Sequence, residues 1–307
     1  MRQTKIWGTS YGIIGDLIMG LPLLTYFEKK YPQSYKYWAI QKKCAITAPI
    51  FLNHPLIDKI KITDEWAGFG EQDRLLMQDC DFVCEDTANH SKYNWYNEIS
   101  CVEETARLAG IDDITEVLTE EEMLPKLYKW FDVGFDNPIL DTYSRKNIPT
   151  LDKFDNNVAI WPFATGGKRG RSPAVKWWNM TIEELVNKGL TVYHYGRDAE
   201  PALSNSPSYI KLTSLSFFDQ VKAALASQLV MGPDTGPMWV MGAYSHPAIN
   251  LLTNHMKDHT DNFTALAPVN TNATNAFTPY RDGIGCNGMS PQAIAKMVLN
   301  TINTKET

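Results

Sequence analysis

The residues best suited to chemistry form one short turn, Asp234-Thr235-Gly236-Pro237-Met238, between two apolar runs. Residues 229–231 before it are typical of a buried strand, and residues 239–243 after it are typical of a buried helix. A strand that reopens as a helix through such a turn is a common anion site, because the first N–H groups of a helix lack an acceptor. Pro237 suits the first helical position, and Gly236 lets a ligand approach the backbone. The turn therefore predicts a site for a small anion.

Two other interpretations of this turn were weighed against the anion site. Most strand–turn–helix junctions bind nothing, so the turn alone does not establish a ligand. The D-T-G triplet also occurs in aspartic proteases, but those enzymes share one proton between two such aspartates. This chain contains one D-T-G triplet, so a protease is disfavoured.

A cluster of cations follows the predicted strand 158–162. Between residues 166 and 176 the chain has four basic residues and no acidic one, namely Lys168, Arg169, Arg171 and Lys176. A diphosphate carries two charges, which are best stabilised by cations and helix N–H donors together. The cluster and the Asp234 turn therefore predict a diphosphate site, and the alternative is a solvated surface loop.

Asp16 is the candidate general base. It lies where a glycine-bearing loop, residues 9–15, gives way to a predicted helix over residues 16–30, after the predicted first strand at residues 5–8. A carboxylate there can accept a proton from a hydroxyl nucleophile, and the helix N-terminus favours its ionised form. The alternative is that Asp16 caps the helix.

Three glycines near this point invite a second interpretation. Gly8, Gly12 and Gly15 have the spacing G-x-x-x-G-x-x-G, whereas dinucleotide-binding loops have G-x-G-x-x-G. No acidic residue ends a clear second strand near Ile40. A nicotinamide-dependent enzyme is therefore the weaker alternative.

Two further acidic sites were considered. Glu200 follows the predicted strand 191–195 and Gly196, where a carboxylate can accept hydrogen bonds from ribose hydroxyls; the alternative is a surface glutamate. Asp79-Cys80-Asp81 is a D-x-D sequence, which holds manganese in some sugar transferases, but here it precedes a short strand far from the basic cluster. We therefore interpret the D-x-D sequence as structural.

Composition and charge limit the possible partners. The net charge is −6, and residues 64–122 carry 17 acidic residues against three basic ones, which disfavours a nucleic acid as partner. The five cysteines have no zinc-site spacing, which favours a reducing compartment. The apolar stretch 13–24 is interrupted by Asp16 and Pro22, so it is neither a signal peptide nor a membrane span. We expect a cytoplasmic protein, working near a membrane face.

The alternation of strands and helices predicts two α/β units with parallel sheets. We place the boundary in a polar stretch at residues 141–157, which gives domains at 1–150 and 151–307. Ser290 and Pro291 predict the start of a final helix over 290–303, which can pack back on the first domain. The natural ligand site of such a pair is the cleft between the domains.

Three blocks of the sequence, taken in order, resemble the heptosyltransferase-like glycosyltransferases of family nine. The first is Gly15-Asp16 followed six residues later by Pro22, which is similar to that family's opening G-D-x-x-x-x-x-P segment. The second, Trp161-Pro162 and then Lys176-Trp177-Trp178, is similar to the family's strand and K-x-W motif. The third, residues 230–238, is close to the family's D-T-G-P-M-H. Together with a weaker match at residues 55–60, the resemblance covers nearly the whole chain.

This resemblance implies the GT-B architecture, in which two Rossmann-like, doubly wound domains face a central cleft. It implies that the domain at 1–150 binds the acceptor and that the domain at 151–307 binds the nucleotide sugar. It implies an inverting, metal-independent glycosyltransferase that moves a sugar from a nucleotide diphosphate sugar, ADP-heptose-like or other, to a hydroxyl of a glycan or another acceptor. The nucleotide sugar is a co-substrate, so no cofactor is implied.

The resemblance also assigns roles by position. Asp16 matches the catalytic base, Lys176 the phosphate-contacting lysine and Glu200 the ribose-binding acid. The remaining residues assigned to the donor site are Gly15, Lys168, Arg169, Arg171, Gly196, Asp234, Thr235, Gly236, Pro237 and Met238.

Two departures from the family leave alternatives open. Trp239 stands where the family has histidine after P-M, so heptose is not assured as the donor sugar, and a catalytically inactive nucleotide- or glycan-binding module is an alternative. The acidic first half would repel a phosphorylated acceptor, which favours a neutral glycan or another hydroxyl acceptor. A metal-dependent transferase using Asp79 and Asp81 is a third interpretation.

Overall fold

The computed structural model describes residues 3–10, 14–63, 71–86, 101–129, 156–164, 172–253, 272–278 and 285–303. The chain divides into two compact units, Met1–Ser144 and Arg145–Thr307. The domain boundary expected after residue 150 falls in the stretch 130–155, outside the described residues. Each unit contains one parallel sheet with its own helices.

The first unit has a four-stranded sheet with the order β3-β2-β1-β4, in which every pair of neighbouring strands is parallel. Its strands are β1 Lys5–Ser10, β2 Tyr35–Gln41, β3 Lys59–Thr63 and β4 Phe82–Asp86. Its helices are α1 Ile14–Met19, α2 Leu21–Lys30, α3 Glu71–Gln78, α4 Cys101–Leu108 and α5 Ile114–Val117, with a 3₁₀ helix at Lys42–Phe51.

The single helix predicted over residues 16–30 is wrong, because the segment forms α1 and α2 with Gly20 between them. A side chain at Gly20 would meet the ring of Trp38 at 3.1 Å. Trp38 on β2 is almost completely buried. The glycine therefore allows this large core side chain to pack directly against the backbone where the two helices meet.

The second unit has a six-stranded parallel sheet with the order β10-β9-β8-β5-β6-β7. Its strands are β5 Asn157–Ile160, β6 Thr191–His194, β7 Tyr209–Lys211, β8 Leu229–Pro233, β9 Ala248–Leu252 and β10 Ala273–Phe277. Its helices are α6 Val175–Asn187, α7 Phe217–Ala224, α8 Gly236–Ala243 and α9 Pro291–Asn303, with a 3₁₀ helix at Gly285–Gly288.

Both sheets have the strand order of the doubly wound, Rossmann-like fold, so the predicted fold class is confirmed. In each sheet the direction of strand progression reverses at one point, which lies between β1 and β4 in the first unit and between β5 and β8 in the second. Ligands of such sheets bind at this switch point, outside the carboxyl ends of the strands. The expected central cleft stays a prediction.

The core of the second unit explains which segments were recognisable from sequence. Every residue of β8 and β9 is buried, as expected for parallel strands covered on both faces. The edge strands β7 and β10 are partly exposed and lack a continuous apolar run, and they were not predicted.

The final helix, α9, begins at the predicted Pro291, and the Ser290 hydroxyl accepts a hydrogen bond from the Ala293 amide at 3.3 Å. Its buried residues, Ile294, Ala295, Val298 and Ile302, join the core of the second unit. Within the ranges given above, every helix is too short or too polar to traverse a lipid bilayer.

Candidate functional site

The Asp234 turn lies at the switch point of the second sheet. β8 ends at Pro233 and α8 begins at Gly236, so the turn joins a central strand directly to a buried helix. Pro237 is the second helical residue and not the first, because the helix starts one residue earlier than expected. A side chain at Gly232 would lie 2.7 Å from the Trp161 carbonyl oxygen, so only glycine permits the observed approach of β8 to the end of β5.

The hydroxyl of Thr235 is buried at the start of α8. Thr235 precedes α8 in an extended conformation, with φ −145° and ψ 159°, and its side chain does not cap the helix. The residue is 7% exposed, and its Oγ1 has no hydrogen-bond partner among the described residues. Buried polar atoms are almost always hydrogen-bonded, so an orphan hydroxyl beside the free N–H groups of a helix favours a polar ligand at this point.

The side chains of Met238 and Asp234 are less available to a ligand than the sequence of the turn suggests. The Met238 side chain is fully buried, so only its backbone N–H can contribute to the predicted donor site. Asp234 is 9% exposed, and its Oδ1 accepts a hydrogen bond of 3.0 Å from the Trp239 indole Nε1. Trp239, which stands in place of the family's histidine, therefore contacts the turn itself.

Lys176 lies in the first turn of α6 rather than in a loop, because this helix starts at Val175. Its side chain is exposed. Just after β5, the Ala164 amide donates a hydrogen bond of 2.6 Å to the Ser172 hydroxyl. This bond joins the residues on either side of the segment 165–171, which contains Lys168, Arg169 and Arg171. Lys168, Arg169 and Arg171 lie outside the described residues, so their placement stays a prediction.

Glu200 is not a surface glutamate but a buried carboxylate, 7% exposed, at the carboxyl edge of the second sheet. Its Oε2 lies 3.2 Å from His194 Nε2, and its Oε1 accepts a hydrogen bond of 3.2 Å from Arg197 Nε. Burial raises the pKa of Glu200, but the hydrogen bonds from His194 and Arg197 outweigh that effect and hold the pKa below its usual range. The carboxylate is therefore ionised and fixed in place.

A chain of hydrogen bonds behind Glu200 sets the tautomer of His194. An ionised carboxylate only accepts hydrogen bonds, so His194 Nε2 carries the proton and Nδ1 accepts from the Tyr209 hydroxyl at 2.6 Å. The Tyr209 oxygen in turn accepts from the Leu203 amide at 3.0 Å. Each member of this chain of hydrogen bonds has its partner, so the chain can hold Glu200 rigidly for a ligand hydroxyl.

Gly196 is required by two features of this edge. Its φ of +150° is a conformation that residues with side chains rarely adopt. A side chain at Gly196 would also overlap the Glu200 carboxylate. The Gln220 amide group pairs with both the N–H and the carbonyl of Gly196, at 2.9 Å each, and thereby fixes this backbone.

In the first unit, Asp16 is the third residue of α1 and is buried, so the interpretation of Asp16 as a residue capping this helix is wrong. Gly15 precedes it and is also buried. Burial raises the pKa of the Cys44 thiol, and the Asp16 carboxylate adds to that rise, which places the carboxylate near the segment that follows β2. Asp16 therefore lies at the carboxyl edge of the first sheet, where a catalytic group is expected.

The D-x-D sequence has a structural role. Asp81 Oδ2 accepts a hydrogen bond of 2.9 Å from the Lys5 amide, and Asp79 pairs with the Lys5 ammonium group. Lys5 begins β1, whose two ends are separated by roughly 17 Å at about 3.3 Å per residue, so the pair lies at the sheet edge opposite Asp16. Among the described residues, no group of three or more His, Cys, Asp or Glu side chains is arranged to hold a metal ion.

Three residues at these edges were missed by sequence reasoning. Trp161 directly follows β5, and its indole Nε1 is buried and has no partner within the described ranges. His194 supports Glu200, as described above. Lys43 lies close enough to Asp16 for the carboxylate charge to raise the pKa of the lysine. Burial has the larger effect and lowers that pKa overall. The signal they share is their position at or just after the end of a strand.

Comparison with known proteins shows which solved structures have a similar fold. Neither a protein-family model nor a curated protein matches the sequence. Among solved structures, the ADP-heptose lipopolysaccharide heptosyltransferase II of E. coli is similar over 100% of both chains, with a TM-score of 0.68 and 15% identity. A family 9 glycosyl transferase from Veillonella parvula is similar over 98% of this chain and 97% of its own, with a TM-score of 0.67 and 12% identity.

A third similar structure is TibC, an iron-containing, dodecameric glycosyltransferase of enterotoxigenic E. coli. It is 12% identical with a TM-score of 0.55, and the match covers 99% of this chain and 77% of TibC. The chain thus has the fold of these glycosyltransferases along its whole length, as the sequence motifs predict. At such low identity the likeness establishes the fold alone.

Proposed function

We propose that the protein is a glycosyltransferase that moves a sugar from a nucleoside diphosphate donor to an acceptor hydroxyl. The observation that carries the proposal is the Thr235 hydroxyl at the amino end of α8, at the switch point of the second sheet, which is buried and has no hydrogen-bond partner in the described part of the chain. A fold shared with nucleotide-sugar-dependent enzymes supports the proposal.

In the proposed reaction the second unit holds the donor. The Thr235 hydroxyl and the first N–H groups of α8 bind the diphosphate, and the exposed ammonium group of Lys176 adds a positive charge. Lys168, Arg169 and Arg171 are proposed to add further charge. Glu200, held by His194 and supported by Gly196, accepts hydrogen bonds from the ribose hydroxyls.

Asp16 is proposed as the general base of a single displacement. The acceptor oxygen forms a bond to the anomeric carbon while the bond from that carbon to the diphosphate breaks. The hydroxyl proton passes to the Asp16 carboxylate, and the electron pair leaves with the nucleoside diphosphate. One displacement inverts the anomeric configuration. The cations and helix N–H groups carry the leaving-group charge, so the proposed step needs no metal.

The acceptor is proposed to be a neutral glycan or another uncharged hydroxyl compound. Residues 64–122 carry 17 acidic and three basic residues, and a phosphorylated acceptor would be repelled by such a segment. The protein is proposed to act in the cytoplasm, near a membrane face.

The first test is thermal unfolding in the presence of ADP-, UDP-, GDP- and dTDP-sugars. A ligand at 100 times its Kd stabilises the native state by about 2.7 kcal/mol. We expect at least one nucleotide sugar to raise Tm, with the free sugar as the control. If no member of the panel changes Tm, the donor proposal is wrong.

The second test is transfer by Asp16→Asn in excess chelator. We expect transfer to fall by about 10² to 10⁴, the usual contribution of a general base, while donor binding is retained. Asp79→Asn is the matched control, because Asp79 pairs with Lys5 at the opposite sheet edge. Near-normal turnover of Asp16→Asn would refute the base assignment, and loss of wild-type activity in chelator would refute metal independence.

A binding module without catalysis is the second candidate, and the replacement of the family's histidine by Trp239 is the observation that favours it. Donor binding without transfer or donor hydrolysis, for every acceptor tried, would support that candidate. Transfer to any acceptor would eliminate it.

A further inference from the structure

The Trp239 indole N–H is directed at the turn that precedes its own helix. Nε1 lies 3.0 Å from Asp234 Oδ1, and the two side chains are only 5% and 9% exposed. An indole N–H is a donor only, and hydrogen bonds to an ionised acceptor are the stronger kind. The Trp239 amide also donates to the Thr235 carbonyl, at 3.1 Å. Trp239 is therefore hydrogen-bonded to Asp234 and to Thr235, the two residues between β8 and α8.

Because the Trp239 ring is almost wholly buried, it has little surface left to touch a ligand. We propose that Trp239 is a positioning residue, which holds the Asp234 carboxylate in one orientation for a hydroxyl group of the donor sugar. This inference rests on the proposed function, in which the Asp234 turn receives the donor. It assigns sugar recognition to Asp234 and removes the side chain at position 239 from direct contact with the donor.

The proposal predicts different effects on two ligands, a nucleotide sugar and the matching nucleoside diphosphate. Thr235, the N–H groups of α8 and Lys176 are proposed to bind the diphosphate. Within the described ranges, Trp239 has no hydrogen bond or ring contact to Lys176 or to Glu200, which is proposed to bind the ribose. Loss of the indole N–H should therefore weaken binding of a nucleotide sugar and leave binding of the matching nucleoside diphosphate unchanged.

The experiment is a double-mutant cycle on donor affinity, measured by calorimetry with the nucleotide sugar that gives the largest thermal shift and with its nucleoside diphosphate. Trp239→Phe keeps an aromatic ring and removes the N–H. We expect it to weaken binding of the nucleotide sugar about tenfold, because the Asp234 carboxylate loses the hydrogen bond that fixes its orientation. The double variant with Asp234→Ala should bind no more weakly than Asp234→Ala alone, because Trp239 acts through Asp234.

Trp177→Phe is the matched control. It removes an indole hydrogen bond of 2.6 Å to the Met289 carbonyl in the core of the same unit, so it should lower Tm and keep the sugar affinity. Trp239→His, which restores a ring N–H, is the second variant and should bind the nucleotide sugar more tightly than Trp239→Phe. Melting curves establish that each variant is folded.

The outcomes distinguish this inference from the proposed function. If the wild type binds no nucleotide sugar, the proposed function fails and the inference fails with it. If the wild type binds but Trp239→Phe binds equally well, or if the two substitutions have additive effects, the inference alone is overturned. An equal loss for the nucleotide sugar and the nucleoside diphosphate, or an equal loss in Trp239→His and Trp239→Phe, would also overturn it.

Discussion

At the scale of single residues, the candidate site depends on polar atoms that the fold holds in defined orientations. Thr235 offers a buried hydroxyl that finds no partner among the residues the structure describes. Asp234 is held by an indole, and Glu200 is held by a histidine whose other nitrogen is also paired. Fixed, desolvated groups of this kind bind a ligand with little reorganisation. The residues that fix them matter as much as the groups expected to touch the ligand.

Gly196 provides a residue-scale prediction. We expect Gly196→Ala to weaken nucleotide binding and to destabilise the protein by about 1–3 kcal/mol, because its φ of +150° is strained for alanine. The new methyl group would also displace the Glu200 carboxylate. Nucleotide affinity from calorimetry and Tm from thermal unfolding provide the two measurements.

Gly189→Ala is the matched control for this prediction. Gly189 also has a positive φ, +85°, but a methyl group there would meet no atom within 4 Å. We expect it to lower Tm and to leave nucleotide affinity intact. Equal affinities in Gly196→Ala and Gly189→Ala would show that Glu200 does not contact the nucleotide.

At the scale of elements, each candidate group sits where a strand of a parallel sheet meets the segment that follows it. β8 and α8 present Thr235, β6 leads into Gly196 and Glu200, and α1 carries Asp16 after β1.

A contact between two elements of the first unit involves His54, which joins the loop before β3 to residues 126–128. The His54 Nδ1 accepts a hydrogen bond from the Leu56 amide at 3.2 Å, and its ring packs edge-on against Tyr128.

This contact predicts an acid-sensitive element. Burial lowers the pKa of His54 from 6.5 to about 4, against a smaller raising effect of the Lys126 backbone. The folded state therefore binds the proton less readily than the unfolded state. The stabilisation is complete above pH 6.5 and is lost as the pH falls towards 4, by up to about 3 kcal/mol.

The measurement is Tm as a function of pH between 7 and 4 for the wild type and His54→Asn. The amide oxygen of asparagine can accept the Leu56 N–H, but the side chain does not titrate. We expect a flatter pH dependence in His54→Asn over this range. Parallel curves for the two proteins would mean that His54 titrates normally.

At the scale of the whole molecule, the chain consists of two units, each with its own sheet and core. The proposed function gives the units different tasks, with the donor bound by the second and the base supplied by the first. This division accounts for the placement of Thr235, Glu200 and Lys176 in one unit and Asp16 in the other.

Hydrogen exchange tests the division of tasks. We expect a nucleoside diphosphate to slow exchange at residues 232–239 and 194–200, because a bound ligand reduces local opening. Exchange in β1 and β2 of the first unit should be unchanged, since no donor group is proposed there. Protection confined to the first unit would place the donor site in the wrong half of the chain.

Much of this architecture was predictable from local patterns. The alternation of apolar runs with amphipathic segments indicated parallel α/β units, and the strand over residues 229–231, the turn at Asp234 and the cap at Ser290 were each located correctly. The short, half-exposed strands β7 and β10 were not, because they lack an apolar run. The break at Gly20 was missed because its cause, the ring of Trp38, is supplied by another strand.

The sequence by itself determined the fold class and the position of the Asp234 turn between a strand and a helix, since both depend on the order of neighbouring residue types. Only the tertiary structure decided which partner each polar side chain takes. Lys5 and Asp79 are 74 residues apart, and Gln220 is 24 residues from Gly196, whose backbone it binds. Contacts of this kind follow from the packing of elements in space, which spacing along the chain does not encode.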